Sequence, residues 1–249
     1  MNSTTVDYKH VNVDNIELSK MMPNKERPSF SSAYVSYRTN KNGPSQFFRL
    51  QLKNKKVTIG LNYSDQYNSY SLLISLTDEE LEKMGEIEEK IQELGYSACS
   101  EIHKKKKKKG ELPHDYISKS SLKPADELKG YSASMGLKFK HNPEGKFYCS
   151  LIDKTKKELV FTTTNLDDYL TKNSTIDVIL SCSLYSLNDF GITWKPVKIR
   201  LVEKGSRSVD ADFVDDPEEE QETTEFGESS TESEEDEYSE AVKSITQKR

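Results

Sequence analysis

Aromatic and basic residues alternate closely in several short segments of this sequence, among them AYVSYR, FFRLQLKNKK, LKFKH, KFYC and TWKPVKIR. This combination is typical of a surface that holds single-stranded nucleic acid, because aromatic rings stack on bases while basic groups pair with phosphates. Each stacked base contributes roughly 1–3 kcal/mol to binding. The candidate binding residues in these segments are Tyr37, Arg38, Phe47, Arg49, Lys138, Lys140, Lys146, Tyr148, Trp194, Lys195, Lys198 and Arg200.

Strand alternation separates some of these candidates from the expected core. Phe139 and Phe147 share their parity with other apolar residues, so we expect them to be buried. Phe47, Arg49 and Tyr148 have the opposite parity and are better candidates for binding. The lysines and arginine of LKFK and VKIR also point away from the expected core, although charge on a solvent face is common. Trp194 is the only tryptophan, and the pattern does not assign it to either side.

Six consecutive lysines follow the segment SACSEIH: Lys104, Lys105, Lys106, Lys107, Lys108 and Lys109. Three interpretations remain open. The run is a flexible loop that grasps phosphates, a nuclear localisation signal, or a solvated helix end that the macrodipole favours.

Hydrophobic periodicity indicates the elements that position these residues. SSAYVSYR, QFFRLQL, VTIGLNY and YSLLISL read as strands connected by hairpins, with KNKK as a charged turn. A helix over about 78–103 follows, because Thr77 and Glu80 form a capping box and apolar residues then recur every three or four positions. Strands resume with MGLKFKH and GKFYCSLID, which flank the turn NPEG, and end with GITWKPVKIRLVEK. Pro196 in the last strand predicts a bulge or an edge position.

This order of elements predicts a mainly β fold with one long helix. The most specific interpretation is an oligonucleotide/oligosaccharide-binding (OB) Greek-key barrel, with the helix between strands 3 and 4. A β-sandwich with one inserted helix would give nearly the same pattern. We expect a mobile N-terminal arm over 1–29, the nucleic-acid-binding domain over 30–205 with a Lys-rich loop at 104–110, and an acidic disordered tail over 206–249.

The charge of the chain is divided between its body and its C-terminal segment. The formal net charge is −6, but residues 209–249 hold 16 acidic and only 3 basic residues. The remaining 33 Lys and Arg against 26 Asp and Glu give residues 1–208 a net charge of +7. This asymmetry is typical of a body that binds a polyanion and a tail that either competes with that polyanion or recruits partners.

Other classes of protein find little support in the sequence. There is no GxSxG, no glycine-rich phosphate loop followed by Lys and Ser or Thr, and no HExxH, so we expect no enzyme activity. Cys99, Cys149 and Cys182 form no CxxC pair, and we expect neither a metal nor a cofactor. No apolar run is long enough to cross a bilayer, and no signal peptide is recognisable, so an intracellular protein without membrane contact is expected.

The segment LKFKHNPEGKFYCSLIDKTKKE, the strand TIDVILSCSLYSL, the strand GITWKPVKIRLVE and the acidic end together resemble viral single-stranded DNA-binding proteins. These are the OB-fold replication proteins of podophages and large DNA viruses. The resemblance covers roughly residues 45–240 and implies strand binding in a groove and a tail that contacts polymerase or helicase. It implies groove roles for Lys138, Lys140, Tyr148, Lys198 and Arg200. The chain departs from the phage pattern at its end, which is Gln247-Lys248-Arg249 rather than an aromatic residue.

These observations predict a sequence-independent single-stranded DNA-binding protein of DNA replication, recombination or repair. Its partners would be single-stranded DNA and, through the tail, replication proteins. A viral protein of this kind would act in the host nucleus or at a cytoplasmic replication site. Two alternatives stay open: an acidic-tailed interaction module similar to a histone chaperone, and an RNA-binding OB protein. The sequence leaves open whether the chain forms a homo-oligomer.

Overall fold

The structure is a computed structural model, and it describes residues 3–25, 27, 30–40, 43–65, 68–103, 118–186 and 190–205. Within these residues the chain is mainly β with one long helix, which confirms the predicted class. The strands are β1 (Ser3–Asp7), β2 (Ile16–Leu18), β3 (Met22–Pro23), β4 (Ser31–Tyr37), β5 (Gln46–Ser64), β6 (Ser69–Ser75), β7 (Ser118–Lys119), β8 (Leu122–Lys123), β9 (Ser134–Phe139), β10 (Ser150–Ile152), β11 (Glu158–Leu159), β12 (Thr175–Ser186) and β13 (Phe190–Glu203), and the helix is α1 (Asp78–His103). The Lys104–Lys109 run and the predicted tail lie outside the described residues.

The strands form one hydrogen-bonded sheet in the order β11-β10-β13-β12-β4-β5-β6-β9-β8, and β12 also pairs directly with β5. Over the described ranges, no backbone pairing joins β9 to β13, so the sheet is not closed. Two short strands lie at this gap: β7 pairs with β13, and β8 pairs with β9. The helix follows β6, which is the third long strand of the chain, as the sequence predicts.

The segment KNKK, predicted as a turn, lies inside the 19-residue strand β5. Asn54 has a positive φ of 53°, and the register of β5 with β12 shifts at this point. The register shift leaves the backbone N–H of Asn54 without a partner in the sheet. This N–H donates instead to Asp177 Oδ1 at 2.8 Å. A bulge therefore replaces the hairpin. One continuous strand pairs with β12 through its first half and with β6 through its second half.

The helix begins with the predicted capping box. The N–H of Thr77 donates to Glu80 Oε2 at 2.9 Å, and the N–H of Glu80 donates to Thr77 Oγ1 at 3.3 Å. The apolar stripe of Met84, Ile87 and Ile91 is fully buried against the sheet. The start of the helix is thus determined by local sequence, because the cap satisfies donors that the first turn leaves free.

Residues 3–25 differ from the predicted mobile arm. β1 pairs in parallel with the start of β5, and β2 and β3 both pair with β4. Four apolar side chains of this segment are buried in the core: Tyr8, Val11, Ile16 and Met21. Their spacing follows neither a helical nor a strand period, so the sequence pattern gives no sign that they are buried. They are buried because β1 pairs with β5 and because β2 and β3 pair with β4, and no pattern within residues 3–25 indicates this pairing.

A buried carboxylate joins the helix to two distant parts of the chain. Trp194 is 0% exposed, and its Nε1–H donates to Glu88 Oε1 at 2.8 Å. The hydroxyls of Ser120 and Ser121 donate to the same carboxylate at 2.5 Å each. These bonds compensate the cost of burying a charge. They also join the helix to the segment that leads into β8.

Candidate nucleic-acid interface

The middle of β12 has one apolar and one polar face. Leu180, Cys182 and Leu184 are buried, whereas Ser181 and Ser183 lie half-exposed on the other face. Directly paired residues of neighbouring strands share a face. Ser181 pairs with Arg49 of β5 on one side and with Lys195 of β13 on the other. The register thus places two of the predicted basic residues in one row across three strands.

A bulge at Pro196 brings a second lysine to the same face. Leu180 pairs with Pro196, but the preceding residue of β12, Ile179, pairs with Lys198, so Val197 is the additional residue of β13. This confirms the bulge that Pro196 predicts. An extra residue reverses the side-chain parity of a strand. Lys195 and Lys198, three residues apart, therefore both point away from the core, while Ile199 is buried.

Tyr148 and Lys140 adjoin these lysines from a different segment. The N–H of Tyr148 donates to the carbonyl oxygen of Lys140 at 3.0 Å, and Phe139 and Phe147 on the other side of this hairpin are buried. Tyr148 is 72% exposed. It lies two residues before Ser150, which pairs in parallel with Lys198.

The electrostatics of Lys195 are consistent with this arrangement. Burial lowers the pKa of Lys195, and the positive charge of Lys140 lowers the same pKa further. The two ammonium groups are therefore close enough to repel each other, which makes the site favourable for an anion that would relieve the repulsion. Lys195 Nζ also donates to Ser183 Oγ at 3.3 Å, which holds the side chain against the sheet.

A second aromatic group lies across the sheet from Tyr148. Tyr34 is 59% exposed and makes an edge contact with Phe47, with ring centroids 5.6 Å apart. Tyr34 pairs with Ser183 of β12 and so lies on the face that carries Lys195. The residue predicted on this strand, Tyr37, is instead buried. Tyr37 is only 4% exposed, and its hydroxyl accepts from the N–H of Asn12 at 3.1 Å.

The exposed tyrosine could have been recognised from the alternation of β4. Ala33, Val35 and Tyr37 form its apolar series, and all three are buried. Tyr34 belongs to the other series, so the period of two identifies it as the exposed ring.

Three further predicted residues have their functional groups engaged within the protein. Trp194 is wholly buried and donates to Glu88, so it presents no ring to a ligand. Arg38 forms an ion pair with Glu17, with 2.6 Å between Nε and Oε1. Arg200 forms an ion pair with Asp177, with 2.8 Å between Nε and Oδ2. A phosphate would have to compete with these carboxylates.

We call the surface formed by Tyr34, Phe47, Arg49, Lys140, Tyr148, Lys195 and Lys198 the basic-aromatic face. Lys138 and Lys146 are exposed next to it, two residues before Lys140 and Tyr148 respectively. The aromatic residues of the basic-aromatic face lie on its opposite sides, Tyr34 and Phe47 on one and Tyr148 on the other. The width of β5, β12, β13 and β10 separates them. At the usual strand spacing this width is about 14 Å. The cationic groups lie between the two aromatic sides.

A larger concavity, of about 1220 Å³, lies away from this face beside residues 123–134. Its lining mixes Lys56, Lys123 and Lys172 with Asp126 and Glu127, so it lacks the uniform charge of the basic-aromatic face. Within the described part of the chain, no three His, Cys, Asp or Glu side chains are arranged to hold a metal ion. The described residues also contain no helix long and apolar enough to span a membrane.

No protein-family model matches the sequence, and no curated protein matches it significantly. Among solved structures, the chain is similar to gp2.5, a single-stranded DNA-binding protein encoded by bacteriophage T7. That likeness has a TM-score of 0.46 and 13% sequence identity, and it covers 64% of this chain and 88% of that one. The single-stranded DNA-binding protein of bacteriophage Enc34 is similar with a TM-score of 0.43 and 10% identity, over 78% of this chain and 96% of that one. The structure of the Enc34 protein in complex with single-stranded DNA matches with a TM-score of 0.41 and 10% identity, over 76% of this chain and 98% of that one.

The chain is thus similar in structure to phage single-stranded DNA-binding proteins. The similarity is one of structure at very low sequence identity, and the residues of the basic-aromatic face follow from this chain's own register and burial.

Proposed function

We propose that this protein binds single-stranded DNA through the basic-aromatic face, without catalysis and without reading a fixed sequence. One observation carries the proposal. Lys140 and Tyr148 come from one segment, Lys195 and Lys198 from another and Arg49 from a third, and the fold brings all five onto one face. Scattered solvent lysines would not be expected to converge around an exposed ring.

The geometry suits a strand that crosses the sheet. Tyr148 on one side and the Tyr34–Phe47 pair on the other offer stacking surfaces to bases. The cationic groups between them can follow the phosphates, whose charge is the same in every sequence. Duplex DNA hides its base faces within the stack, so it could use only the charges. Single strands are therefore the preferred ligand.

We further propose that the strands form an OB-like barrel that is open between β9 and β13. The support is the position of the single helix, which lies between the third long strand, β6, and the next long strand, β9, as the helix of that fold does. In OB folds oligonucleotides bind to the face of strands 2 and 3 and to adjoining loops, and we propose that the basic-aromatic face has this role here.

The acidic C-terminal segment is proposed to regulate binding and to recruit replication, recombination or repair proteins. Residues 209–249 carry 16 carboxylates against 3 basic groups, while residues 1–208 have a net charge of +7. A polyanionic segment attached to a cationic body competes with DNA by charge alone. A chain that ends at residue 208 should therefore bind single strands more tightly, and unchanged affinity would contradict the competition.

The proposed function is tested by displacing labelled (dT)30 from the full chain with unlabelled competitors. Unlabelled (dT)30 should displace it at far lower concentrations than a 30-base-pair duplex. Equal displacement by duplex would indicate binding by charge alone and would contradict the proposal. Binding of (rU)30 in strong preference to (dT)30 would assign the face to RNA. Binding of basic proteins such as histones, with no oligonucleotide binding, would favour the chaperone-like alternative.

A further inference from the structure

The loop between β10 and β11 is held in a fixed shape by Asp153. The N–H of Lys156 donates to the carbonyl oxygen of Asp153 at 3.0 Å, and the N–H of Asp153 donates to the carbonyl oxygen of Lys157 at 2.9 Å. The Asp153 carboxylate accepts from the Thr155 hydroxyl at 2.7 Å and from the N–H of Lys157 at 2.9 Å. These bonds define a three-residue hairpin loop over 154–156.

Lys156 occupies the position of this loop that usually belongs to glycine. A three-residue hairpin loop ends in a residue with a left-handed backbone, and Lys156 has a φ of 68°. Elsewhere in the described residues, the non-glycine residues with positive φ are Asn54, Asn68 and Asn173, and asparagine tolerates this conformation comparatively well. A lysine has no such local advantage. Because backbone strain of this kind clusters at functional positions, the Lys156 side chain is the feature of the loop that calls for a function.

Lys156 borders the same small concavity as Lys198 of the basic-aromatic face. The concavity has a volume of about 210 Å³, and Gln51 and Ile152 also line it. Since β10 pairs in parallel with β13, Ile152 lies beside Arg200, and the loop follows directly after Ile152. The hairpin therefore extends the basic-aromatic face beyond Lys198.

The charges around this concavity favour an anion. Lys156 and Lys198 are both exposed, and neither forms an ion pair within the described part of the chain. The carboxylate that lines the concavity, on Asp177, is paired with Arg200. Glu158 lies on β11, the next strand outward, and it does not line the concavity. An anion that enters here thus meets two ammonium groups and a carboxylate whose charge is already compensated.

Resting on the proposed function, we propose that Lys156 binds a phosphate of the single strand next to the phosphate that Lys198 contacts. The loop fixes the backbone of Lys156 before the strand arrives, so less conformational freedom is lost when the contact forms. The chain thus keeps a lysine where glycine would suit the backbone better. Phosphates are the same at every position of a strand, so this contact adds affinity without sequence preference.

The test replaces Lys156 by glycine in the full chain and measures the binding of labelled (dT)30 at several salt concentrations. Lys156→Gly removes the charge and gives the loop its usual residue, so stability in urea should be unchanged or higher. The log–log slope of affinity against salt should become shallower by about 0.7, the value for one phosphate contact. If both proteins extrapolate to the same affinity at 1 M salt, the affinity at 0.1 M salt should fall about fivefold.

Two further variants separate the role of this side chain from that of net charge. Lys154→Gln removes the same charge from the same loop, but Lys154 does not line the concavity, so the original slope should be retained. Lys156→Arg keeps the charge and should also retain the original slope. Loss of the slope in Lys156→Arg as well would contradict a contact made by charge.

The outcomes separate this inference from the proposed function. If the unaltered chain does not bind (dT)30, the proposed function fails and this inference fails with it. If the unaltered chain binds, and Lys156→Gly and Lys154→Gln have the same slope, the Lys156 proposal is overturned and the basic-aromatic face stands. Saturable binding of inorganic phosphate that Lys156→Gly abolishes would assign the site to a free anion and overturn the strand assignment. If Lys156→Gly does not fold, Lys156→Asn, which also suits a left-handed backbone, takes its place in the same comparison.

Discussion

The charge of the basic-aromatic face can be tested by removing two of its lysines together. Lys140 and Lys198 are exposed, and neither forms an ion pair within the described residues. Lys140→Gln with Lys198→Gln preserves much of the side-chain length but removes two positive charges. Exposed substitutions away from specific interactions change the free energy of unfolding little. Any loss of binding would therefore reflect the interface rather than the fold.

The magnitude follows from the number of phosphates that the face can neutralise. If Arg49, Lys140, Lys195 and Lys198 each contact one phosphate, the log–log slope of affinity against salt is about −2.8 for a single strand. The affinity should then fall about 50-fold between 50 and 200 mM salt. The double variant retains two contacts, so its slope should be about −1.4 and its loss about sevenfold.

Fluorescence anisotropy with labelled (dT)30 at several salt concentrations measures both slopes. The matched control removes the same charge from helix α1 with Lys83→Gln and Lys90→Gln, whose ammonium groups pair with Glu86 and Glu93. The control should keep the original slope. The reasoning is refuted if the double variant and the control have the same slope, because net charge would then determine affinity rather than position.

Three further predictions address single residues. Tyr148→Ala should weaken binding of (dT)30 by about 1–3 kcal/mol in anisotropy titrations, whereas Tyr131→Ala, which removes an equally exposed ring elsewhere, should not; equal losses would contradict the role of Tyr148. Since Trp194 is 0% exposed, iodide should barely quench its fluorescence with or without DNA, and strong quenching would show that the ring is accessible. Burial raises the pKa of Cys149 to about 12, so the folded state retains a proton that the unfolded thiol releases above about pH 8.5. Stability should therefore decline as pH rises through this window, and urea titrations should show the wild type losing about 2 kcal/mol more than Cys149→Ala between pH 8 and pH 10; parallel losses would count against it.

The sequence pattern predicted the features that depend only on residues close together in the chain. The capping box of Thr77 and Glu80 forms as expected, because both partners lie within one helical turn. Phe48, Leu50 and Leu52 are buried as their alternation indicates. Lys138, Lys140 and Tyr148 also lie on the predicted side of their segments, where they are exposed and their neighbours Phe139 and Phe147 are buried.

Long-range pairing accounts for most of what the sequence did not predict. Arg38 and Arg200 have the composition of binding residues, but Glu17 and Asp177 reach them only after folding. Trp194 lies in the core, where it donates to the carboxylate of Glu88, 106 residues away in the sequence. No window of sequence contains both members of such a pair.

The composition of the candidate site was predicted from the sequence, but its geometry was not. Lys195 and Lys198 share a face only because the bulge at Pro196 changes the strand parity between them. The bulge itself was predictable from the proline, but which neighbours it brings together depends on the register with β12.

Photo-crosslinking with a single strand that contains 5-iododeoxyuridine tests the central claim most directly, because it maps the bound bases onto the chain. Mass spectrometry of the crosslinked peptides should place the modified residues at Tyr148 and at Tyr34 or Phe47. Crosslinks confined to exposed rings elsewhere, such as Tyr63 or Tyr131, with none on the basic-aromatic face, would contradict the account.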